Sequence, residues 1–164
     1  MENGHFIRQS GFDFMANRII VRNRKARFHY EILETFEAGI ALQGTEVKSI
    51  RQGKVKITEA FCRISETKQM DVCQMEVGVY RYGNIHNHKT DRDRKLLMHR
   101  RQIVRLFSKI REKGLTLIPL SLYFKRDRVK MEIALCRGKK VYDKRASLKE
   151  RETELEIKRS LKDL

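Results

Sequence analysis

Arg137-Gly138-Lys139-Lys140-Val141-Tyr142-Asp143-Lys144-Arg145 is the segment best equipped for intermolecular chemistry. Tyr142 can stack on a base, Lys144 and Arg145 can hold phosphates, and Asp143 can accept from a base amine or order the segment. Stacking contributes about 1–3 kcal/mol per base in single-strand binders, enough to matter for an end that must be ordered on binding. Apolar alternation stops at Cys136, so nothing beyond it has a core to join. A cationic end carrying one ring suits a strongly anionic partner.

A second group is Asn84-Ile85-His86-Asn87-His88. Amides and imidazoles read base edges and sugar hydroxyls, which makes Asn84, Asn87 and His88 candidate contacts. His86 and His88 with Asp91 and Asp93 could ligate a metal on paper. Such a site needs its own supporting hydrogen bonds, and this loop lies among cations, so neither metal nor cofactor is expected. Arg24, Lys25, Arg27, Lys48, Arg51 and Lys54 are point charges and guanidinium forks for phosphates. Cys62, Cys73 and Cys136 lack the close pairing of a zinc site. They sit in strand-like runs and read as reduced core thiols of a cytoplasmic protein. There is no Ser/His/Asp order, no phosphate-cradling glycine loop and no convincing carboxylate pair, so an enzyme is not expected.

The formal net charge is +16, from 37 Lys+Arg against 21 Asp+Glu in 164 residues. That excess favours polyanions through counterion release. No apolar run approaches a membrane span, no signal-peptide pattern opens the chain, and the apolar stripe of the tail is thin for a surface-lying helix. No membrane partner is expected.

The elements that must position these groups are mostly strands. Residues 1–17 read as a flexible arm, and Met15-Ala16-Asn17 resembles an ordinary protein start. Phe28 to Phe36 and Gly39 to Gln43 read as two strands. Thr45 is placed as the cap of a short helix that turns Val47 and Ile50 inward and ends at Gly53. Ile57 to Ile64 and Met70 to Val79 are strands joined by a turn at Ser65 to Gln69, and Tyr80 to Asp93 is a long polar loop. From Arg94 to Gly114, Leu96, Leu97, Ile103, Val104, Phe107 and Ile110 recur with the helical period. Leu115 to Phe124 is a strand in which Pro119 marks an edge or a bulge. Val129, Met131, Ile133 and Leu135 alternate with polar or small residues on the last strand. The fold class is therefore mostly β, a small antiparallel OB-type barrel over residues 18–136 with flanking helices. A basic tail, 137–164, follows, with Leu148, Leu155, Ile157, Leu161 and Leu164 as its apolar stripe. Alone such a helix is marginal, so the tail is expected to be disordered, or helical when bound.

These strings, in order, resemble one family. Asn23-Arg24-Lys25-Ala26-Arg27, Phe36 through Arg51 (Phe-Glu-Ala-Gly-Ile-Ala-Leu-Gln-Gly-Thr-Glu-Val-Lys-Ser-Ile-Arg), Gly53-Lys54, Gly83-Asn84, Asn87-His88, Arg92-Asp93-Arg94-Lys95-Leu96-Leu97, Gly138-Lys139-Lys140 and Asp143-Lys144-Arg145 are similar to the SsrA-binding (small protein B) family of bacterial ribosome rescue. The resemblance runs from about Asn17 to the C-terminus. Phe28, His29, Lys89-Thr90 and Gln102 depart from the common pattern.

The resemblance implies an OB-type barrel, monomeric, that binds the tRNA-like domain of transfer-messenger RNA. It also implies elongation factor Tu as a partner through that RNA. Glu37, Arg94, Lys95, Leu97 and Lys130 join the barrel contacts by position. Gly138, Lys139, Lys140, Tyr142, Asp143, Lys144 and Arg145 become ribosome contacts near the decoding region, and Ile157 and Leu161 lie on a helix formed in the empty message channel. A generic OB-type RNA-binding or ribosome-associated protein is the alternative, and the tail separates the two.

Overall fold

A computed structural model describes residues 18–161, with backbone only for Val141 and Tyr142. The proposed arm, 1–17, and Leu164 lie outside the described residues. Strand β1 (Arg18–Arg22) and the single-turn helix α1 (Ala26–His29) lead into β2 (Tyr30–Ile40). Then come α2 (Gly44–Arg51), β3 (Val55–Lys56), β4 (Phe61–Ile64), β5 (Met70–Cys73) and β6 (Glu76–Val77). A loop with one 3-10 turn at Asn84–His86 leads to β7 (Arg94–Leu97), α3 (Arg100–Lys113), β8 (Thr116–Lys125), β9 (Arg128–Gly138) and α4 (Val141–Ser160).

All pairings are antiparallel, in the order β1-β8-β4-β5-β7-β2-β9, and β9 pairs again with β8. That last pairing closes six strands into a barrel, with β1 added to the free edge of β8. Closure removes exposed strand edges. The OB-like fold expected from the sequence is the one observed. On β9, Val129, Met131, Ile133 and Leu135 face a core that includes Ile50, Ile57, Met70, Val72, Met75, Leu96, Leu106, Leu117 and Leu122. Ala134 and Cys136 belong to a second small cluster with Ala26, Ile118 and Leu120, beneath α1. All three cysteines are buried and free. Burial raises each thiol pKa, that of Cys136 to about 12.

Several elements differ from the sequence reading, each for a physical reason. The two strands expected over 28–43 are one, bent by a bulge between Ile32 and Glu34. Gly39 does not break it, because β7 lies so close that an added Cβ would sit 3.3 Å from that of Leu97. Residues 26–29, expected to begin the strand at Phe28, form α1. Thr45 does not cap α2: Gln43 does, its backbone N–H donating to Glu46 Oε2 at 2.7 Å. The run expected to end at Val79 stops at Cys73, and Gln74 (φ 56°) turns the chain into β6, which pairs with β3 in a separate two-stranded sheet. Arg94–Leu97 is strand rather than helix, and α3 starts only at Arg100. Gly114 ends α3 in the left-handed conformation (φ 58°), as its position suggests. Pro119 marks a bulge, the register with β9 shifting between Pro119 and Ser121, and β8 is interior rather than an edge. The tail is helical over Val141–Ser160, the form expected of it when bound, here in the chain by itself.

Candidate nucleic-acid interface

The strand registers build one face of the barrel residue by residue. Leu97 on β7 is opposite Gly39 on β2, Gly39 is opposite Lys130 on β9, and Lys130 is opposite Tyr123 on β8. The adjoining outward row is Glu37, Glu132 and Ser121. Because β7 alternates, Arg94 and Leu96 point inward while Lys95 and Leu97 point outward. Leu97 is 53% exposed, so its side chain is not core. Gly39 floors a groove of about 310 Å³ walled by Leu42, Val47, Leu97 and Lys130.

Glu37 has firm internal partners. The Tyr123 hydroxyl donates to its Oε2 at 2.6 Å, and Lys125 Nζ lies 3.1–3.2 Å from both oxygens. Partial burial pushes its carboxyl pKa up, but the Tyr123 hydrogen bond and the charges of Lys125 and Lys130 outweigh this and hold it below 4.5. An ionised Glu37 thus holds Lys125 and the Tyr123 phenol in place on a face it shares with Glu132 and Lys130.

Helix α2 flanks the groove through Val47 and exposes Lys48 and Arg51, with Lys54 just beyond. Lys48 Nζ lies 5.2 Å from the Tyr80 ring centre, and the Arg51 guanidinium 5.6 Å from that of Phe124. Such contacts at an exposed site are weak and leave both cations available to phosphate. Arg24, Lys25 and Arg27 are exposed around α1, by the start of α4 rather than beside α2.

Two candidate contacts turn inward. Arg94 is fully buried: Nε donates to Glu46 Oε1 at 2.8 Å, Nη1 to the carbonyls of Met75 and Arg92, and Nη2 to that of Thr90. His88 is 5% exposed, and its Nε2–H donates to the Val77 carbonyl at 3.1 Å, leaving Nδ1 to accept from the Thr45 hydroxyl at 3.0 Å. RNA cannot reach either side chain in this arrangement, so both are corrected from contacts to supports of the loop. Asn87 is half-buried and likewise a brace, its amide exchanging hydrogen bonds with the Tyr80 backbone at 3.0 and 2.9 Å. Asn84 is exposed, held at φ 44°.

The charge that organises this loop is Glu46, which the sequence reading passed over. It is fully buried and accepts from Arg92, Arg94 and the Gln43 backbone. Burial raises its pKa, but these donors more than compensate and lower it. The Gln43-x-x-Glu46 spacing is that of a capping box, but Gln is not one of its usual N-cap residues, which hides the signal. Also missed were Gly39, Tyr123 and the exposed side chains of Tyr82 and Ile85, which no periodic pattern marks. Among the described residues no cluster of His, Cys, Asp and Glu is arranged to hold a metal, and no helix is long and apolar enough to cross a membrane.

The tail begins as a docked element. Gly138 still pairs with Tyr30. The backbone N–H of Lys139 donates to the His29 carbonyl at 2.9 Å, and its Nζ donates to the Arg27 carbonyl at 3.1 Å and the Ser147 hydroxyl at 3.0 Å. Asp143 accepts from the Lys140 N–H at 3.2 Å and caps α4. Beyond Ser147 every described residue is exposed, Ile157 and Leu161 included. Lys140 and Arg145 are exposed and Lys144 half-buried, while the Tyr142 side chain lies outside the described residues.

The family model for SmpB protein matches residues 20–163. The chain belongs to the SmpB family. An SsrA-binding protein of Carboxydothermus hydrogenoformans is 52% identical over 145 residues, covering 88% of this chain and 97% of the relative. One from Pelotomaculum thermopropionicum is 48% identical over 149 residues, covering 91% and 97%. Among solved structures, a chain from "tmRNA-SmpB: a journey to the center of the bacterial ribosome" superposes with a TM-score of 0.61 at 48% identity, covering 74% of this chain and 85% of that one. The SmpB match takes in barrel and tail together.

Proposed function

We propose that this SmpB-family chain is a non-catalytic RNA-binding factor of ribosome rescue. Its barrel binds the tRNA-like domain of transfer-messenger RNA, and the complex enters ribosomes stalled on a broken message. The folded part, 18–136 with the last two residues of β9, supplies the grip. Lys95, Leu97, Lys130 and the Glu37 cluster form its centre, Lys48, Arg51 and Lys54 its phosphate-facing flank, and Arg24, Lys25 and Arg27 a second cationic group. The tail, with Lys140, Tyr142, Lys144 and Arg145 leading and Ile157 and Leu161 further along, occupies the message channel beyond the decoding region. The protein acts as a cytoplasmic monomer and meets elongation factor Tu through the RNA.

One observation carries this reading over a generic OB-type binder: the similarity runs through residue 163, so the tail is matched as well as the barrel. The direct test is to capture the protein from a bacterial lysate and sequence the bound RNA. One dominant tRNA-like species supports the reading, and a broad spread of unrelated RNAs contradicts it.

A further inference from the structure

The loop from Tyr80 to Asn87 is tightly braced, yet it holds large apolar side chains out in solvent. The Asn87 amide accepts from the Tyr80 N–H and donates to the Tyr80 carbonyl. The Gly83 N–H donates to the same carbonyl at 3.0 Å, and the His86 N–H donates to the Gly83 carbonyl at 2.9 Å. At its end the loop is anchored by buried His88 and then by Arg92 and Arg94 on Glu46. None of these bonds uses the side chain of Tyr82 or Ile85. Tyr82 is 71% exposed and Ile85 90%, and Val79 just before the loop is exposed as well. A rigid loop that presents a cluster of apolar groups to water marks a contact surface.

The surroundings indicate what it contacts. The rings of Tyr80 and Tyr82 meet edge-on, their centres 5.7 Å apart. Lys48 Nζ lies 5.2 Å from the centre of Tyr80, and the Arg81 guanidinium 5.9 Å from that of Tyr82. Lys54 adjoins the foot of the loop, its carbonyl accepting from the Gly78 N–H at 2.8 Å. Residues 79–90 contain no Asp or Glu. The carboxylates on either side, Glu76 and Asp91, lie 3.6 Å from the ammonium groups of Lys56 and Lys89. Exposed aromatic surface set among cations suits a single strand of nucleic acid, whose bases stack while its phosphates meet the charges. An apolar protein groove would cover Ile85 and leave the cations unmatched.

We propose that this loop is a stacking prong for RNA. One unpaired base lies on the Tyr82 ring, and Lys48, Lys54 and Arg81 hold the phosphates beside it. The contact rests on the reading of the chain as an RNA binder. It adds a non-electrostatic grip beside the cations of α2, made by residues other than those of the Leu97–Lys130 groove.

The test measures binding of the full chain to the tRNA-like domain of transfer-messenger RNA across a range of salt concentrations. Wild type is compared with Tyr82→Phe, Tyr82→Ala and Tyr82→Lys. Affinity is extrapolated to 1 M salt, where the log-linear salt contribution is zero. There Tyr82→Ala and Tyr82→Lys should each bind about five- to a hundredfold more weakly, the worth of one stacked base. Tyr82→Phe should stay within about twofold of wild type, because it keeps the ring. The salt slope of Tyr82→Ala should match wild type, since no phosphate contact is removed. Two variants remove the ring, so a folding defect in one leaves the other to decide. Wild-type affinity in Tyr82→Ala, tighter extrapolated binding by Tyr82→Lys, or equal losses in Tyr82→Phe and Tyr82→Ala overturns the proposal. Unchanged RNA affinity with lost tagging of stalled chains also overturns it and assigns the loop to a protein partner. If the wild-type chain shows no preference for the tRNA-like RNA over random RNA of equal length, the broader reading fails instead.

Discussion

Glu46 shows what a single buried carboxylate does in this molecule. It holds Arg92, Arg94 and the start of α2 together beneath the Tyr80–Asp93 loop. Removing Glu46 leaves Arg94 charged in the interior with carbonyl partners alone, so Glu46→Ala is expected to cost about 3–5 kcal/mol; Arg94→Ala, which leaves Glu46 its bonds from Arg92 and the Gln43 N–H, should cost less, both read from urea unfolding at pH 7. Glu46 and Glu37 both have folded pKa values below 4.5. The unfolded chain therefore takes up their protons first, and the stability they confer is complete above that value and lost as pH falls through the lower folded values. Unfolding midpoints between pH 7 and pH 3 should fall in that window, and Glu46→Gln should flatten the decline. A decline unchanged in Glu46→Gln would remove Glu46 from this role. Residue type alone misled at this scale. Arg94 and His88 are what an RNA site would use, and only burial tells a contact from a brace. Had Arg94–Leu97 been read with period 2, Arg94 would have fallen on the inner side with Leu96.

At the scale of elements, the helix and strand signals overlapped at one place. Leu96 stands seven residues before Ile103 and eleven before Phe107, so it continues the phase of α3 although β7 and His99 intervene. Alternation was clear on β9 because its neighbours bury one face alone along most of its length, and there the reading and the structure agree. Helix α2 was legible as a short amphipathic unit with cations outward. Lys48→Ala with Arg51→Ala should weaken RNA binding and lower the salt slope by about one unit for each phosphate no longer neutralised. Titrations at several salt concentrations would show it, and an unchanged slope would mean that α2 faces away from RNA. Helix α4 has little beyond Ser147 to pack against, and an isolated helix of its length is marginal. Amide exchange should be fast across residues 148–160 and slow across β8 and β9. Strong protection of 148–160 in the free protein would contradict a tail that waits for its partner.

For the whole molecule, the barrel class followed from short strands with turn signals between them, while its closure did not. Closure depends on β9 pairing with both β2 and β8, a long-range fact that no local pattern carries. The tail boundary moved for a similar reason: apolar alternation ends at Cys136, but backbone pairing continues to Gly138 and Lys139 is tied to α1. Residues 140–164 hold eight Lys or Arg and six Asp or Glu, only +2 of the +16, so the bulk electrostatic grip belongs to the rest of the chain. The central claim is that the grip and the ribosomal task are divided between barrel and tail. A chain truncated after Lys139 keeps β9 whole and tests this division when RNA affinity and tagging of stalled nascent chains are measured side by side. The account predicts affinity for the tRNA-like RNA within about twofold of the full chain, since little net charge is removed, together with loss of tagging. Tagging that persists, or affinity that collapses with the tail, would contradict it.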